Sequence, residues 1–186
     1  MTAVFVHGNP EAAAVWSPIL VELDRSDVVV LSPPGFGAPV PDGFGATADE
    51  YLAWLVAELE GLGEPVDLVG HDWGGSIAWI TAMNHPEVVD RLAILNAAHP
   101  RRLQEGLKHP SQLRKSWYFF FFALPGLPEE VVHARDWHFF RHFLHDANPP
   151  YTPQELERYV EAWSQPGAAA GMINYYRASV RQSQKD

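Results

Sequence analysis

Asp72 lies at a predicted strand-to-helix turn in the segment VDLVGHDWGGSIAW. Gly70, Gly74 and Gly75 surround it at the offsets that a tight turn needs, although the residue at this point of a G-x-S-x-G turn is a serine. The turn raises the carboxylate above the strand end and places the N–H of Trp73 and a helix start beside it, where negative charge is stabilised. This arrangement predicts an ionised nucleophile that needs no base and suits an sp³ carbon carrying a leaving oxygen or halide.

A second loop, HGNP, follows the apolar strand AVFV and is predicted to reach the same crevice of the sheet. The backbone N–H of Asn9 is then a candidate oxyanion donor beside that of Trp73, and Pro10 fixes the loop that presents it. A simpler interpretation is that Asp72 only caps the helix that follows it. Two motif loops that converge on one crevice favour the nucleophile.

The elements that must position these residues alternate between apolar runs and helical periodicities. This pattern is typical of an α/β fold with a mostly parallel sheet flanked by helices. About four strands are predicted, in the order 2-1-3-4, with the third over 66–70 and the fourth over 91–97. Thr47 and Glu50 form a capping box at the start of one helix, and another helix is predicted over 76–84.

Predicted strands cease at about residue 100, and helices rich in aromatic residues follow. They are expected over 112–122, 129–145, 152–163 and 168–182, with Thr152 as the cap of the third. The sequence therefore predicts a sheet-containing core part over 1–99 and a helical cap, or lid, over 100–186.

The composition of the 186 residues restricts the partners and the location. A net charge of −10 argues against nucleic acid and anionic membranes as partners and leaves a small neutral substrate compatible. The absence of cysteine fits a reducing cytoplasm, and the N-terminus MTAVFVHG lacks the features of a secretory signal. A cytoplasmic location is therefore expected.

Six segments in this order, HGNPE, PGFG, GHDWGG, RLAILNAAHPRR, SWYFFFFALPG and INYYRAS, resemble the α/β-hydrolase fold family. The resemblance is to its epoxide hydrolase branch, close to the haloalkane dehalogenases. It implies that Asp72 is the nucleophile and that two tyrosines of the lid, Tyr118 and Tyr176, hold and protonate the epoxide oxygen. A phenol can meet the alkoxide that a strained ring becomes on opening.

The same resemblance implies an oxyanion hole from the amides of Asn9 and Trp73 and no cofactor or metal. The substrate is expected to be a small apolar epoxide or haloalkane, in a pocket lined by aromatic residues that include Phe36 and Phe119.

Haloalkane dehalogenase activity is the alternative within the family. In one dehalogenase subfamily the side-chain N–H groups of the residues matching Asn9 and Trp73 hold the halide. That subfamily has a catalytic glutamate where this sequence has Asn96. The paired tyrosines of the lid favour the epoxide hydrolase.

The sequence departs from the family pattern at both ends. Relatives have two further strands before HGNP, and after YYRA two more that carry the catalytic acid and histidine; no counterpart is found here. Ester formation on Asp72 is expected to remain possible. Hydrolysis of the ester is expected to be slow unless another chain supplies the missing base, for which His99 is a weak substitute. Unpaired sheet edges predict a chain that forms a homodimer, swaps elements with another copy or is marginally stable. A hypothesis of another class is an inactive fragment that acts only as a binding module.

Three histidines, His138, His142 and His145, have a helical spacing that can hold a metal ion. Arg135 and Arg141 lie among them and repel a cation. The sequence therefore predicts a surface of the lid and no metal site.

Overall fold

Four parallel strands form one sheet in a computed structural model that describes residues 1–145 and 151–182. The strand order is β2-β1-β3-β4, as predicted. Because parallel neighbours need crossover connections, helices separate the strands along the chain and place side chains on the sheet. The strands are β1 (Ala3–Val6), β2 (Val28–Leu31), β3 (Val66–His71) and β4 (Val89–Leu95). β2 and β4 are the outer strands, and pairing of these edges with a second copy stays a prediction.

Three α-helices accompany the strands, and they are α1 (Ser17–Leu23), α2 (Ala48–Glu60) and α3 (Asp72–Asn84). The capping box that was predicted for α2 is confirmed, because the Glu50 N–H donates to Thr47 Oγ1 and the Thr47 N–H donates to the Glu50 carboxylate. The predicted start of α3 at residue 76 was wrong by four residues. Gly74 and Gly75 are helical here although glycine disfavours helix, because their missing side chains allow close packing against β1 and β3.

Six helices follow β4 in the described residues. The predicted helix over 112–122 is in fact two helices, because the backbone leaves helical geometry at Ser116 (φ −91°, ψ 21°). A break also interrupts the predicted helix over 129–145, with positive φ at Arg135, Asp136 and Trp137. The helices are α4 (Pro100–Gly106), α5 (Pro110–Lys115), α6 (Trp117–Ala123), α7 (Leu127–His145), α8 (Pro153–Trp163) and α9 (Ala168–Gln182).

Helix α9 packs against the sheet-containing half of the chain through backbone as well as side chains. A Cβ on Gly35, in the loop after β2, would lie 2.7 Å from the Gly171 Cα in α9, so both positions need glycine. The Trp163 indole N–H donates to the Pro10 carbonyl at 2.5 Å. One apolar core therefore spans both halves, and it includes Val4, Val6, Leu68, Ile77, Met172, Ile173, Tyr175 and Tyr176.

Across 1–145 and 151–182, none of the helices combines the length and the apolarity that a bilayer crossing requires.

Substitution of Gly35 by alanine tests the backbone contact with α9. Gly35 has φ +85° and a close neighbour, whereas Gly43 has φ +78° and nothing within 4 Å of an added Cβ. Positive φ strains alanine at both positions, but only G35A also overpacks, which typically costs ~1–3 kcal/mol. We expect G35A to lower the free energy of unfolding in urea by about 2 kcal/mol more than G43A does. Equal losses for the two variants would contradict the contact.

Candidate active site

The turn between β3 and α3 presents Asp72 in a left-handed backbone conformation, with φ 51°. Such a conformation costs a residue with a side chain ~1–2 kcal/mol, so surrounding structure must hold it. Gly8 approaches closely enough that a Cβ there would lie 2.5 Å from Asp72 Oδ2 and from the Trp73 nitrogen. The elbow thus depends on glycines from two loops, and it directs the carboxylate away from the sheet.

The Asp72 side chain is half-buried and its carboxylate accepts backbone hydrogen bonds. The Asn9 N–H donates to Oδ2 at 2.9 Å, and the Trp73 N–H also donates to the carboxylate. Burial raises the pKa of Asp72 to about 6, while these two hydrogen bonds oppose the rise. The group is therefore ionised at neutral pH, and both predicted oxyanion donors already contact the carboxylate.

Two phenols, Tyr118 and Tyr176, share a cavity of about 160 Å³ with Asp72. Their ring centroids lie 5.9 Å apart. The Asn9 side-chain amide donates to the Tyr176 hydroxyl oxygen at 3.0 Å, and the Trp73 side chain also hydrogen-bonds to it. Burial, followed by the nearby charge of Asp72, raises the pKa of both tyrosines, so both are neutral phenols. The cavity is completed by Asn9, Pro10, Phe122, Phe140 and Phe143.

A second cavity, of about 120 Å³, also contains Asp72, Tyr118 and Tyr176. Phe119 and Trp73 lie in its wall, beside the ends of β4 and α5. Phe36 is placed elsewhere: it packs edge-on against Tyr51 and Tyr175 in the core and is not among the residues that line either cavity. All the residues predicted for the site except Phe36 thus border Asp72.

The sequence reasoning gave no role to a buried ion pair between Glu11 and His71. Glu11 Oε2 lies 2.6 Å from His71 Nδ1, and their side chains are 8% and 18% exposed. Although burial lowers it, the hydrogen bond and charge of Glu11 raise the pKa of His71. The pair ties the loop of Asn9 to the elbow of Asp72. The only indication of this pair in the sequence is that Glu11 and His71 lie beside the two motif loops.

The remaining motif histidine, His7, is a neutral structural residue. Burial lowers its pKa to about 4, and its ring nitrogens lie 3.1 Å from the Gly8 carbonyl oxygen and 2.9 Å from Ser32 Oγ. In the part of the chain that is described, no three His, Cys, Asp or Glu side chains form a group suited to a metal ion. The side chain of His145, one of the three histidines of the predicted lid, lies outside the described residues.

Neutralisation of Glu11 tests the ion pair. E11Q removes a charge-assisted hydrogen bond from a buried site, and we expect it to lower the free energy of unfolding by ~1–3 kcal/mol. Because the pair raises the pKa of His71, its stabilisation is complete below about pH 6.5 and is lost as the pH rises through the folded-state pKa. The loss in E11Q should therefore shrink at alkaline pH.

The matched control is E87Q. Glu87 also pairs with a histidine, His85, at 3.0 Å, but these side chains are 64% and 37% exposed. We expect little change in E87Q, since exposed pairs are weak. A pH-independent loss in E11Q would contradict a contribution from the imidazolium charge.

Comparisons with known proteins identify the family of the chain. The model of the alpha/beta hydrolase fold family matches residues 4–180. The chain is 34% identical to Epoxide hydrolase 4 of Homo sapiens, over 94% of this chain and 51% of that protein. It is 31% identical to the AB hydrolase superfamily protein YfhM of Bacillus subtilis (strain 168), over 94% of this chain and 64% of that protein.

A solved structure has the same fold. The epoxide hydrolase of Bacillus megaterium, crystallised with an inhibitor, superposes with a TM-score of 0.87 at 24% identity, over 95% of this chain and 64% of that one. The chain thus spans about half to two thirds of the length of these relatives. Since the family model covers nearly every residue from β1 to α9, the chain belongs to the alpha/beta hydrolase fold family.

Proposed function

We propose that this chain opens epoxides by forming an ester on Asp72, as an epoxide hydrolase does in its first half-reaction. The observation that carries the proposal is that one carboxylate and two neutral phenols line the same cavity of about 160 Å³. The similarity to epoxide hydrolases supports it. A nucleophile and a proton donor are the two groups that ring opening requires.

In the proposed reaction Oδ1 of Asp72, the oxygen that does not accept the hydrogen bond of the Asn9 N–H, attacks a ring carbon. A C–O bond forms to that carbon, the ring C–O bond breaks, and the ring oxygen takes a proton from Tyr118 or Tyr176. The products are a hydroxyalkyl ester and a phenolate, which regains its proton from solvent. Oδ2 stays in contact with the Asn9 N–H and becomes the ester carbonyl oxygen, which is where negative charge develops when water later attacks.

Tyr176 is well arranged to act as the acid. Its oxygen accepts hydrogen bonds from the side chains of Asn9 and Trp73, so its own proton is left to donate toward the cavity. These donors also stabilise the phenolate that remains after transfer. Burial keeps the proton on the phenol until a more basic alkoxide forms.

The same contacts disfavour the alternative function, that of a haloalkane dehalogenase. The two side-chain N–H groups that would hold a halide, those of Asn9 and Trp73, are both hydrogen-bonded to Tyr176. A halide would have to displace the phenol from both donors. Asn96, at the position of the dehalogenase glutamate, is an amide that lies 3.0 Å from His71 Nε2 and cannot act as a base.

Hydrolysis of the ester needs a base that activates water. The motif histidines of the described chain are occupied: both ring nitrogens of His7 have partners, and His71 lies between Glu11 and Asn96. We therefore expect the ester to form faster than it is cleaved in these 186 residues, and to accumulate.

Intact mass spectrometry after incubation with styrene oxide tests the proposal. We expect a persistent increase by the mass of one epoxide in the wild-type chain and no increase in D72N, because an amide is a poor nucleophile. A bromoalkane serves as the second reagent. An increase with the bromoalkane alone would transfer the assignment to a dehalogenase.

Two further outcomes of this experiment have defined meanings. Diol formed catalytically without a persistent ester would retain the epoxide reaction and show that the chain supplies a base. Neither ester nor diol, in a folded chain, would overturn the proposal and leave a binding module.

Removal of one phenol tests the acid role separately from packing. We expect Y176F and Y118F each to slow ester formation with styrene oxide by roughly tenfold or more, since general acids contribute ~10²–10⁴ and one phenol remains. Phenacyl bromide alkylates a carboxylate without a proton donor, so its reaction with Asp72 should change little. The control Y159F removes a hydroxyl from another buried tyrosine and should leave both rates unchanged. Equal slowing with both reagents would contradict proton donation.

A further inference from the structure

The second cavity beside Asp72 has a polar wall, unlike the first. Apart from the three residues that the cavities share and Asn9, the first is lined by Pro10, Phe122, Phe140 and Phe143. Besides Trp73, the second is lined by four residues with polar side chains, together with apolar ones. The four are Ser76, Asn96, Gln112 and Ser116. The proposed reaction with a simple apolar epoxide uses none of them.

Two of these polar residues, Gln112 and Ser116, form a pair that can bind a hydroxyl group. The Gln112 side-chain N–H donates to Ser116 Oγ at 3.1 Å. This bond leaves the Ser116 O–H as a donor and the Gln112 carbonyl oxygen as an acceptor. An alcohol is both an acceptor and a donor, so it can satisfy both groups at once. Ser116 is buried, which reduces competition from bulk water.

The polar wall lies in a cavity that also contains the three residues proposed to act on the epoxide ring. Both cavities reach Asp72, Tyr118 and Tyr176, so a ring held by these residues can extend one substituent into each. The second cavity, at about 120 Å³, has several times the ~30 Å³ that one water molecule occupies in the liquid. A short arm with a terminal hydroxyl therefore fits there, while an aryl or alkyl arm contacts the phenylalanines of the first.

We propose that the substrates are 2,3-epoxy alcohols, with the apolar substituent in the first cavity and the hydroxymethyl arm bound by Gln112 and Ser116 in the second. This inference rests on the proposed epoxide opening and specifies its substrate class. Gln112 and Ser116 determine specificity and take no part in bond making. The ring opens as described above, with the same transfer of a proton from a phenol.

A matched pair of epoxides tests the inference. trans-3-Phenylglycidol and trans-β-methylstyrene oxide differ only by the hydroxyl, and the rate of ester formation on Asp72 is measured for both by intact mass. We expect the ratio of the two rates, alcohol over methyl, to fall about 2- to 10-fold in S116A and in Q112L, as for loss of one hydrogen bond. The ratio cancels any effect of a substitution that acts on both compounds alike. S111A, at an exposed serine of α5, should keep the wild-type ratio. An unchanged ratio in both S116A and Q112L would overturn the inference.

A binding measurement separates this inference from the proposed function. trans-Cinnamyl alcohol and trans-β-methylstyrene have the same shapes without the reactive ring, and tryptophan fluorescence reports their binding because Trp73 lines the cavity. If neither epoxide forms an ester but the wild type binds the alcohol more tightly than S116A does, the proposed reaction fails and the polar site stands. If the two proteins bind both compounds equally, the polar site fails as well.

Discussion

The left-handed backbone of Asp72 is the constraint on which the rest of the site depends. An aspartate adopts φ 51° only where its surroundings hold it there, and here Gly8 and the glycines of the elbow let two loops and a helix start approach within contact distance. The same approach brings the Asn9 N–H to 2.9 Å from the carboxylate. The backbone geometry of Asp72 and the stabilisation of its negative charge therefore both depend on the absence of side chains around the turn.

Burial of this carboxylate raises its pKa, and the neighbouring groups shift that pKa in opposite directions. The amides of Asn9 and Trp73 and the charge of His71 favour its ionised form, whereas burial and Glu11 oppose it. The Glu11–His71 pair is nearly neutral as a whole when His71 is protonated, so it holds the two loops together without adding much net field at Asp72. A pKa near 6 results, which leaves a carboxylate that is ionised yet poorly solvated, as a nucleophile should be.

The sequence predicted the sheet, its strand order and the elbow because these have strong local signals. Apolar runs mark the strands, Thr47 and Glu50 mark a helix start, and the glycine spacing around Asp72 marks a turn. The misses arise from tertiary contacts that leave no local pattern. The break at Ser116 and the positive φ values of Arg135 to Trp137 interrupt stretches of good helical periodicity. Phe36 is aromatic, as pocket residues often are, but it packs against Tyr175 in the core. Glu11 contacts His71, which is sixty positions away in the sequence.

The hydrogen bond between Asn9 and Tyr176 joins residues 167 positions apart, and this separation has a consequence for the order of folding. Contacts so distant in sequence form late, because the chain must first close a long loop. During synthesis β1, the elbow and the loop of Asn9 can assemble while α9 is still unmade, so Asp72 exists for a time without Tyr176. An early folding intermediate then has the Asp72 carboxylate but lacks one of the two phenols that share its cavity. The cavity beside Asp72 therefore acquires its full set of lining residues only when α9 docks.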